Sequence, residues 1–231
     1  MPYLTVEELR KNKTMREDVS PDGGTRFRGT TEPRLALKYF SKDGQILECG
    51  PHFGMFTKFL QDNGFIKIHL LDFYDALTFV EKNKITFKEV DFNTETMPYP
   101  DDFFDGITAW GIVEHMENPF HFTREVHRVL KKDAIYIMAL PNIFHIMSRL
   151  IFLKKGMFPR WDTANNHIFV LPRGVFEKTM LRYFDLVEMV YTKPDIQYAF
   201  LNKISRRLPA NEWFANYVIY VLKKKVFVPF L

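Results

Sequence analysis

One cysteine, Cys49, in the whole chain excludes an internal disulfide and any metal site built from several thiolates. That scarcity fits a reducing compartment, and no metal site is expected. No stretch approaches the ~20 apolar residues that span a bilayer, so no stable membrane insertion is expected. The amino-terminal MPYLTVEELRKNKTMRED is polar and charged. It carries no signal-peptide pattern, and a cytoplasmic location is expected. Charge of one sign is also lacking: 32 Lys and Arg against 28 Asp and Glu leave +4, evenly spread. That balance argues against a nucleic-acid partner. Repeats and low-complexity segments are absent. What is plentiful is apolar surface, 46% of 231 residues with 24 Phe, enough for one domain with a modest insertion.

The patterning alternates from Gln45 onward. QILEC, KIHLLD, TFKEV, FFDGITAW and AIYIMALP read as five strands. Helical stretches are expected at 54–62, from Tyr74 to Lys82 and from Asn118 to Leu130, the last with Phe122, Val126 and Val129 on one face. Repeated strand–helix–strand order with apolar strands predicts a doubly wound α/β fold, its mostly parallel sheet covered on both faces. Before it, 4–16 and 32–40 read as short helices flanking a turn-rich loop, a candidate lid. After Pro141 the periodicity lapses through 143–174; then comes a helix from Val175 to Tyr183 and two strands, DLVEMVY and NYVIYVL. The expected division is 1–40 (helices and lid), 41–142 (cofactor core), 143–174 (acceptor-binding insertion) and 175–231 (closing helix and strands).

Within ILECGPHFGMFTKFL, Gly50 and Gly54 bracket a turn from strand to helix, where free backbone N–H groups and the positive helix end gather over one spot. The dinucleotide fingerprint needs further glycines two and five residues after Gly50, where His52 and Met55 stand. A phosphate loop is excluded because no Gly-Lys-Ser/Thr follows. In a parallel sheet, ligands bind beyond the carboxyl ends of the strands. Those ends carry Glu48, then Asp72 with Phe73, then Asp91 with Phe92, then Trp110 with Gly111. Asp72 suits a pair of ribose hydroxyls, and Asp91 and Phe92 suit adenine. Taken singly, Asp72 and Asp91 read equally as helix caps and Phe92 as core.

As an ordered series these blocks resemble the class I S-adenosylmethionine-dependent methyltransferases, and are similar to the methyltransferase type 11 domains. ILECGPHFG resembles the family's first motif and LLDF its second. VDFNTETMPYPDDFFDGITAWGIVEHMENP resembles the block that follows, and REVHRVLKKDAIYIMALPN the helix-to-strand block ending in Pro-Asn. The resemblance runs from about 40 to 142 and implies a Rossmann-like sheet of seven strands with the last inserted antiparallel. It implies S-adenosyl-L-methionine as cofactor. Glu48, Gly50, His52 and Gly54 would lie at its amino-acid end, Asp72 at the ribose, Asp91, Phe73 and Phe92 at the adenine, and Trp110 along the methionine chain. Two positions depart from the pattern. His52 stands where the family has its central glycine, so its backbone is expected in a conformation open to other residues. Asp133-Ala134 replaces a glycine pair and is expected to affect only a turn.

The acceptor is expected to be a small molecule held by residues after the fourth and fifth strands and by the loop near the N-terminus. Candidates are His115, Phe144, His145, Arg149, Arg160, Trp161, Asp162 and His167. A hydroxyl acceptor needs a base; His167 is the first choice and His145 the second. His121 and His127 read as structural or solvated. Aromatic and basic residues mix in SRLIFLKKGMFPRWDTANNH, resembling enzymes of surface-polysaccharide pathways. O-methylation of a sugar, nucleotide-linked sugar or phosphorylated small molecule is the expectation. A quinone or lipid acceptor, or a non-catalytic subunit with the cofactor fold, are the alternatives. Oligomeric state is not legible.

Overall fold

The computed structural model describes residues 32–161, 166–193 and 207–226. The expected helix at 4–16, the loop after it and Asp162 lie outside them. A first helix, α1 (Glu32–Tyr39), leads to β1 (Gln45–Cys49), α2 (Met55–Asp62), β2 (Lys67–Asp72) and β3 (Ile85–Glu89). Then come β4 (Phe104–Trp110), α3 (Pro119–Val129), β5 (Leu130–Pro141), α4 (Ile146–Lys155) and α5 (Arg173–Tyr183). The last elements are β6 (Phe184–Tyr191) and β7 (Tyr217–Lys224). All seven strands form one sheet in the order β3-β2-β1-β4-β5-β7-β6. β1 through β5 pair parallel, and β7 runs antiparallel to both its neighbours. The seven-stranded, mostly parallel α/β sheet expected from the sequence is therefore present.

Two cores follow from the period-two alternation of side chains along each strand. One face gathers Leu47, Ile107, Tyr136 and Met138 under Phe122, Val126 and Val129 of α3 and Phe176 and Met180 of α5. The other gathers Ile46, Ile68, Leu70, Ile137 and Ile219 under Leu35 and Ala36 of α1 and Phe56 and Leu60 of α2. Neighbours Ile46 and Leu47, both fully buried, serve opposite faces. Helix α3 starts where Asn118 accepts from the His121 N–H at 3.1 Å, with Pro119 in the first turn.

Two expectations are corrected. Tyr74 to Lys82 is not a helix; only a 3-10 turn, Lys82–Lys84, precedes β3. The amides of Thr78 and Phe79 both donate to the Phe53 carbonyl at 3.2 Å, and Asp75 caps the Leu77 N–H at 2.9 Å. These tertiary bonds replace helical ones in a run where Thr78, Phe79 and Val80 are poor helix formers. Conversely, α4 forms where no periodicity is visible. His145 caps its start, and Gly156, with φ 68, returns its N–H to the Phe152 carbonyl at 2.7 Å. Of its ten residues only Ser148 is buried, so the caps rather than a buried stripe define it.

Candidate active site

The parallel order brings the carboxyl ends of β1, β2 and β4 side by side. Cys49 aligns with Leu71 on one flank and Ala109 on the other. Just beyond, Gly50 N–H donates to the Leu71 carbonyl at 2.8 Å, and Val90 N–H to the Asp72 carbonyl at 2.9 Å. The turn between β1 and α2 is strongly left-handed: φ is 69 at Gly50, 54 at His52 and 84 at Gly54. A Cβ at Gly50 would lie 2.4 Å from an Ile112 methyl, and one at Gly54 2.5 Å from a Val80 methyl. Both positions thus need glycine for space as well as for φ. The expectation for His52 is corrected, because it adopts the glycine-like region itself. Histidine is among the few residues that enter that region with some frequency.

Around this turn the expected cofactor residues take up defined places. Glu48 is 2% exposed and accepts from the Thr57 hydroxyl at 2.5 Å. Burial pushes its carboxyl up to about 8; the Thr57 bond opposes that, and the charge of Asp72 adds to it. Burial likewise raises the adjoining Cys49 thiol, which stays protonated and inert. Asp72, 4% exposed, accepts from the Phe73 N–H at 2.9 Å. The Phe73 ring lies against Tyr74, centroids 4.9 Å apart. Trp110 packs edge-on to Phe56 at 5.1 Å, and its buried indole Nε1 has no hydrogen-bond partner among the described residues. Asp91 and Phe92 carry structural duties as well. Asp91 accepts from Asn93 N–H and the Thr94 hydroxyl at 2.9 and 3.0 Å, and Phe92 sits edge-on against core Phe122. The set offers a buried acid pair, flat faces and an orphaned donor, which fits a ligand with vicinal hydroxyls, a base and a cationic tail.

Beyond β4 and β5 lies a narrow recess of about 20 Å³, room for a single water. Its walls include Phe144, Trp161, Phe169, Leu171 and Tyr220, with Glu114 and Asn142 as polar members. Of the expected acceptor residues it brings Phe144 and Trp161 together. His167 adjoins through Trp161 at 5.1 Å, and His115 through His167 at 4.6 Å between ring centroids. Glu114, 2% exposed, was not among the expected residues. Its proximity to His167 comes from the backbone, since Ile168 and Phe169 N–H both donate to its carbonyl at 2.9 and 3.0 Å. Asn142 is an anchor: its amide donates to the Glu212 and Ala215 carbonyls at 2.7 and 2.8 Å, fixing the chain that enters β7.

Other candidates are engaged elsewhere. His145 accepts from the Met147 N–H at 3.0 Å through Nδ1. Burial and the Arg160 charge hold its pKa below the usual histidine range. It caps the start of α4 through that nitrogen. Arg149 pairs with Glu212 and lies over the Trp213 ring at 4.0 Å, while Arg160 lies over Tyr217 at 4.6 Å. His121 and His127 bond the Glu95 and Lys225 carbonyls, at 2.9 and 3.0 Å, as structural residues do. No helix among the described residues is long and apolar enough to cross a membrane.

Comparison with known proteins agrees with this geometry. A family model described as a methyltransferase domain matches residues 26–184. An uncharacterized protein of Methanocaldococcus jannaschii is 29% identical over 95% of this chain and 86% of its own. Among solved structures, an S-adenosylmethionine-dependent methyltransferase from Mesorhizobium loti superposes with a TM-score of 0.61, covering 88% of this chain and 99% of that one at 14% identity. A putative methyltransferase of Haloferax volcanii, solved with its Trm112 activator, gives a TM-score of 0.62 at 14% identity, covering 94% and 95%. The sheet order, the glycine turn and the matched family model together assign this chain to the methyltransferase domain family, as a class I S-adenosylmethionine-dependent methyltransferase.

Proposed function

We propose that the chain methylates a hydroxyl oxygen of a small polar ring compound, with a sugar or a nucleotide-linked sugar as the favoured class. The observation that carries this reading is the chemistry of the recess lining, which would have to part to admit a ring. Aromatic walls at Phe144, Trp161, Phe169 and Tyr220 suit the C–H faces of a sugar ring, and the Glu114–His115–His167 group lies at its polar side. Surface-polysaccharide pathways supply such acceptors. Arg149 is engaged with Glu212 and Trp213, which argues against it as a contact for a phosphate on the acceptor.

When bound, S-adenosylmethionine supplies an electrophilic methyl group on a cationic sulfur. The residues of the chain orient, exclude water and manage a proton. We assign Glu48, Gly50, His52 and Gly54 to the amino-acid end of the cofactor and Asp72 to the ribose. Phe73, Asp91 and Phe92 face the adenine, and Trp110 lies along the methionine chain. Asp91 serves in addition to its turn. His167 acts on the proton of the acceptor hydroxyl. Calorimetry with S-adenosylmethionine tests the cofactor site, and absence of binding sinks the reading. A methyl-release assay across nucleotide sugars and sugar phosphates tests the acceptor. His167→Ala is expected to lose turnover at least about a hundredfold while keeping cofactor affinity; unchanged turnover removes it from the mechanism.

A quinone or lipid acceptor is the second reading. It is favoured by Met147, Leu150, Phe152 and Leu153 on α4, all exposed large apolar side chains close in sequence to the recess residue Phe144. Turnover on quinols but on no sugar would select it.

A further inference from the structure

Glu114, His115 and His167 each offer one ligand atom, and those atoms all lie within 4.8 Å of one another. We propose that these three side chains form a mononuclear site for a divalent first-row transition cation, zinc by its ligand chemistry, whose open position takes the acceptor oxygen. One carboxylate and two imidazoles suit zinc and its neighbours, whereas magnesium and calcium seek all-oxygen shells. The donor set contains no cysteine, so the scarcity of thiols does not count against it.

Three features preorganise the group. The two ligand-bearing segments are clamped by backbone, since Ile168 and Phe169 N–H donate to the Glu114 carbonyl at 2.9 and 3.0 Å. The tautomer of His115 is set: its Nδ1 lies 3.0 Å from the Asn166 carbonyl, which can only accept, so Nδ1 carries the hydrogen and Nε2 presents its lone pair. A carbonyl behind a histidine is the usual outer partner of a metal-bound imidazole. His167 is steadied by Trp161, 5.1 Å away, whose indole N–H donates to the Phe169 carbonyl at 2.9 Å. Beside it, the buried Asn166 Oδ1 has no partner among the described residues and is a further acceptor in the same segment.

Glu114 is 2% exposed, so a cation held there would be shielded from bulk water. A cation bound at about 2.0–2.1 Å would hold its ligand atoms about 3.3 Å apart. The present spacing of up to 4.8 Å would have to shorten by rotation of the side chains on binding. Methyl transfer is redox-neutral, so a Lewis acid suffices. An acceptor hydroxyl bound there loses its proton to water, and its lone pair forms the O–CH3 bond. The S–CH3 electron pair stays on sulfur, leaving S-adenosylhomocysteine. With the cation bound, His167 is a ligand in place of the base proposed above, and the cation lowers the pKa of the hydroxyl so that water can take the proton. That role rests on the recess being the acceptor site; metal binding itself does not.

The test uses the full chain stripped by chelator, titrated with Zn²⁺ by calorimetry and with Co²⁺ by visible absorption. One cation per chain and cobalt d–d bands are expected. His115→Ala and His167→Ala, at half-buried positions, should each weaken Co²⁺ at least about tenfold, as should Glu114→Gln if it folds. His121→Ala, remote and bound to the Glu95 carbonyl, should leave it unchanged. Retained S-adenosylmethionine binding shows that each variant is folded. No stoichiometric binding, or an affinity in both histidine variants equal to that of the unmodified chain, overturns the proposal in favour of an ordinary hydrogen-bonded cluster. Turnover that survives complete stripping overturns the catalytic role. Loss of cofactor binding by the unmodified chain with the cobalt site intact would instead overturn the methyltransferase site and leave the metal proposal standing.

Discussion

Buried at the end of β1 with Asp72 beside it, Glu48 keeps its proton up to about pH 8. Its unfolded counterpart ionises near 4.5. Between those values the folded chain holds one proton more at this site, so its contribution to stability falls as pH rises and is level above about 8. Glu48→Gln should flatten that slope in urea unfolding at pH 5, 6.5 and 8; a slope identical to that of the unmodified chain would contradict the burial argument. The same group links to the cofactor. A cationic ligand beside it favours the carboxylate, so binding near pH 7 should release up to one proton. Calorimetry in buffers of different ionisation enthalpy reads that release, and Glu48→Gln should abolish it. Glu48 and Asp72 could be placed from the sequence because each ends a strand whose neighbours were recognisable. Glu114 could not. Its meeting with His167 depends on two backbone bonds from Ile168 and Phe169, and no local pattern encodes them.

At the level of elements, the strands were legible to within a few residues because apolar runs bounded by turn residues leave few alternatives: QILEC and KIHLLD are β1 and β2 as read. The misses share a cause. Leu77 and Val80 fit a helical face, yet they pack over Gly54, and the Phe53 carbonyl takes the amides that a helix would have used. Asp133, with φ 62, lies inside β5, where the pairing shifts beside β4, so the substituted glycine pair marks a bulge within a strand. Helix α3 illustrates a motif whose function is structural. From it, Arg128 donates to Glu125 and Asp101 and to the Met97 and Tyr99 carbonyls, tying down the loop before β4. Glu125 completes the tie by accepting from Met97 N–H at 2.8 Å. Arg128→Ala should cost about 2–3 kcal/mol in urea unfolding, because it strands a largely buried carboxylate and two carbonyls. Arg128→Lys should recover only part, since one ammonium cannot reach all four acceptors. Full recovery by lysine would mean that charge alone matters.

For the molecule as a whole, the two faces of the sheet are joined through a strand that carries none of the residues proposed for the cofactor. β7 lies between β5 and β6, antiparallel to both, and buries Val218, Ile219, Val221 and Leu222 into the two cores. It also lends Val218 and Tyr220 to the recess. Every residue assigned to the cofactor lies between Glu48 and Trp110, so a modular view predicts that a chain ending at 215 still binds S-adenosylmethionine. The packing predicts otherwise. Removing β7 leaves β6 without a ladder partner and bares the inner edge of β5, whose buried apolar side chains Ile137, Met138 and Leu140 lose cover. Each such side chain is worth about 1.5–3 kcal/mol when fully buried, and a domain has only about 5–15 kcal/mol in total to lose. The truncated chain should therefore show no cooperative thermal transition by circular dichroism and no cofactor binding by calorimetry. A cooperative melt with cofactor affinity intact would establish that the first five strands fold alone and that β7 serves only the acceptor side.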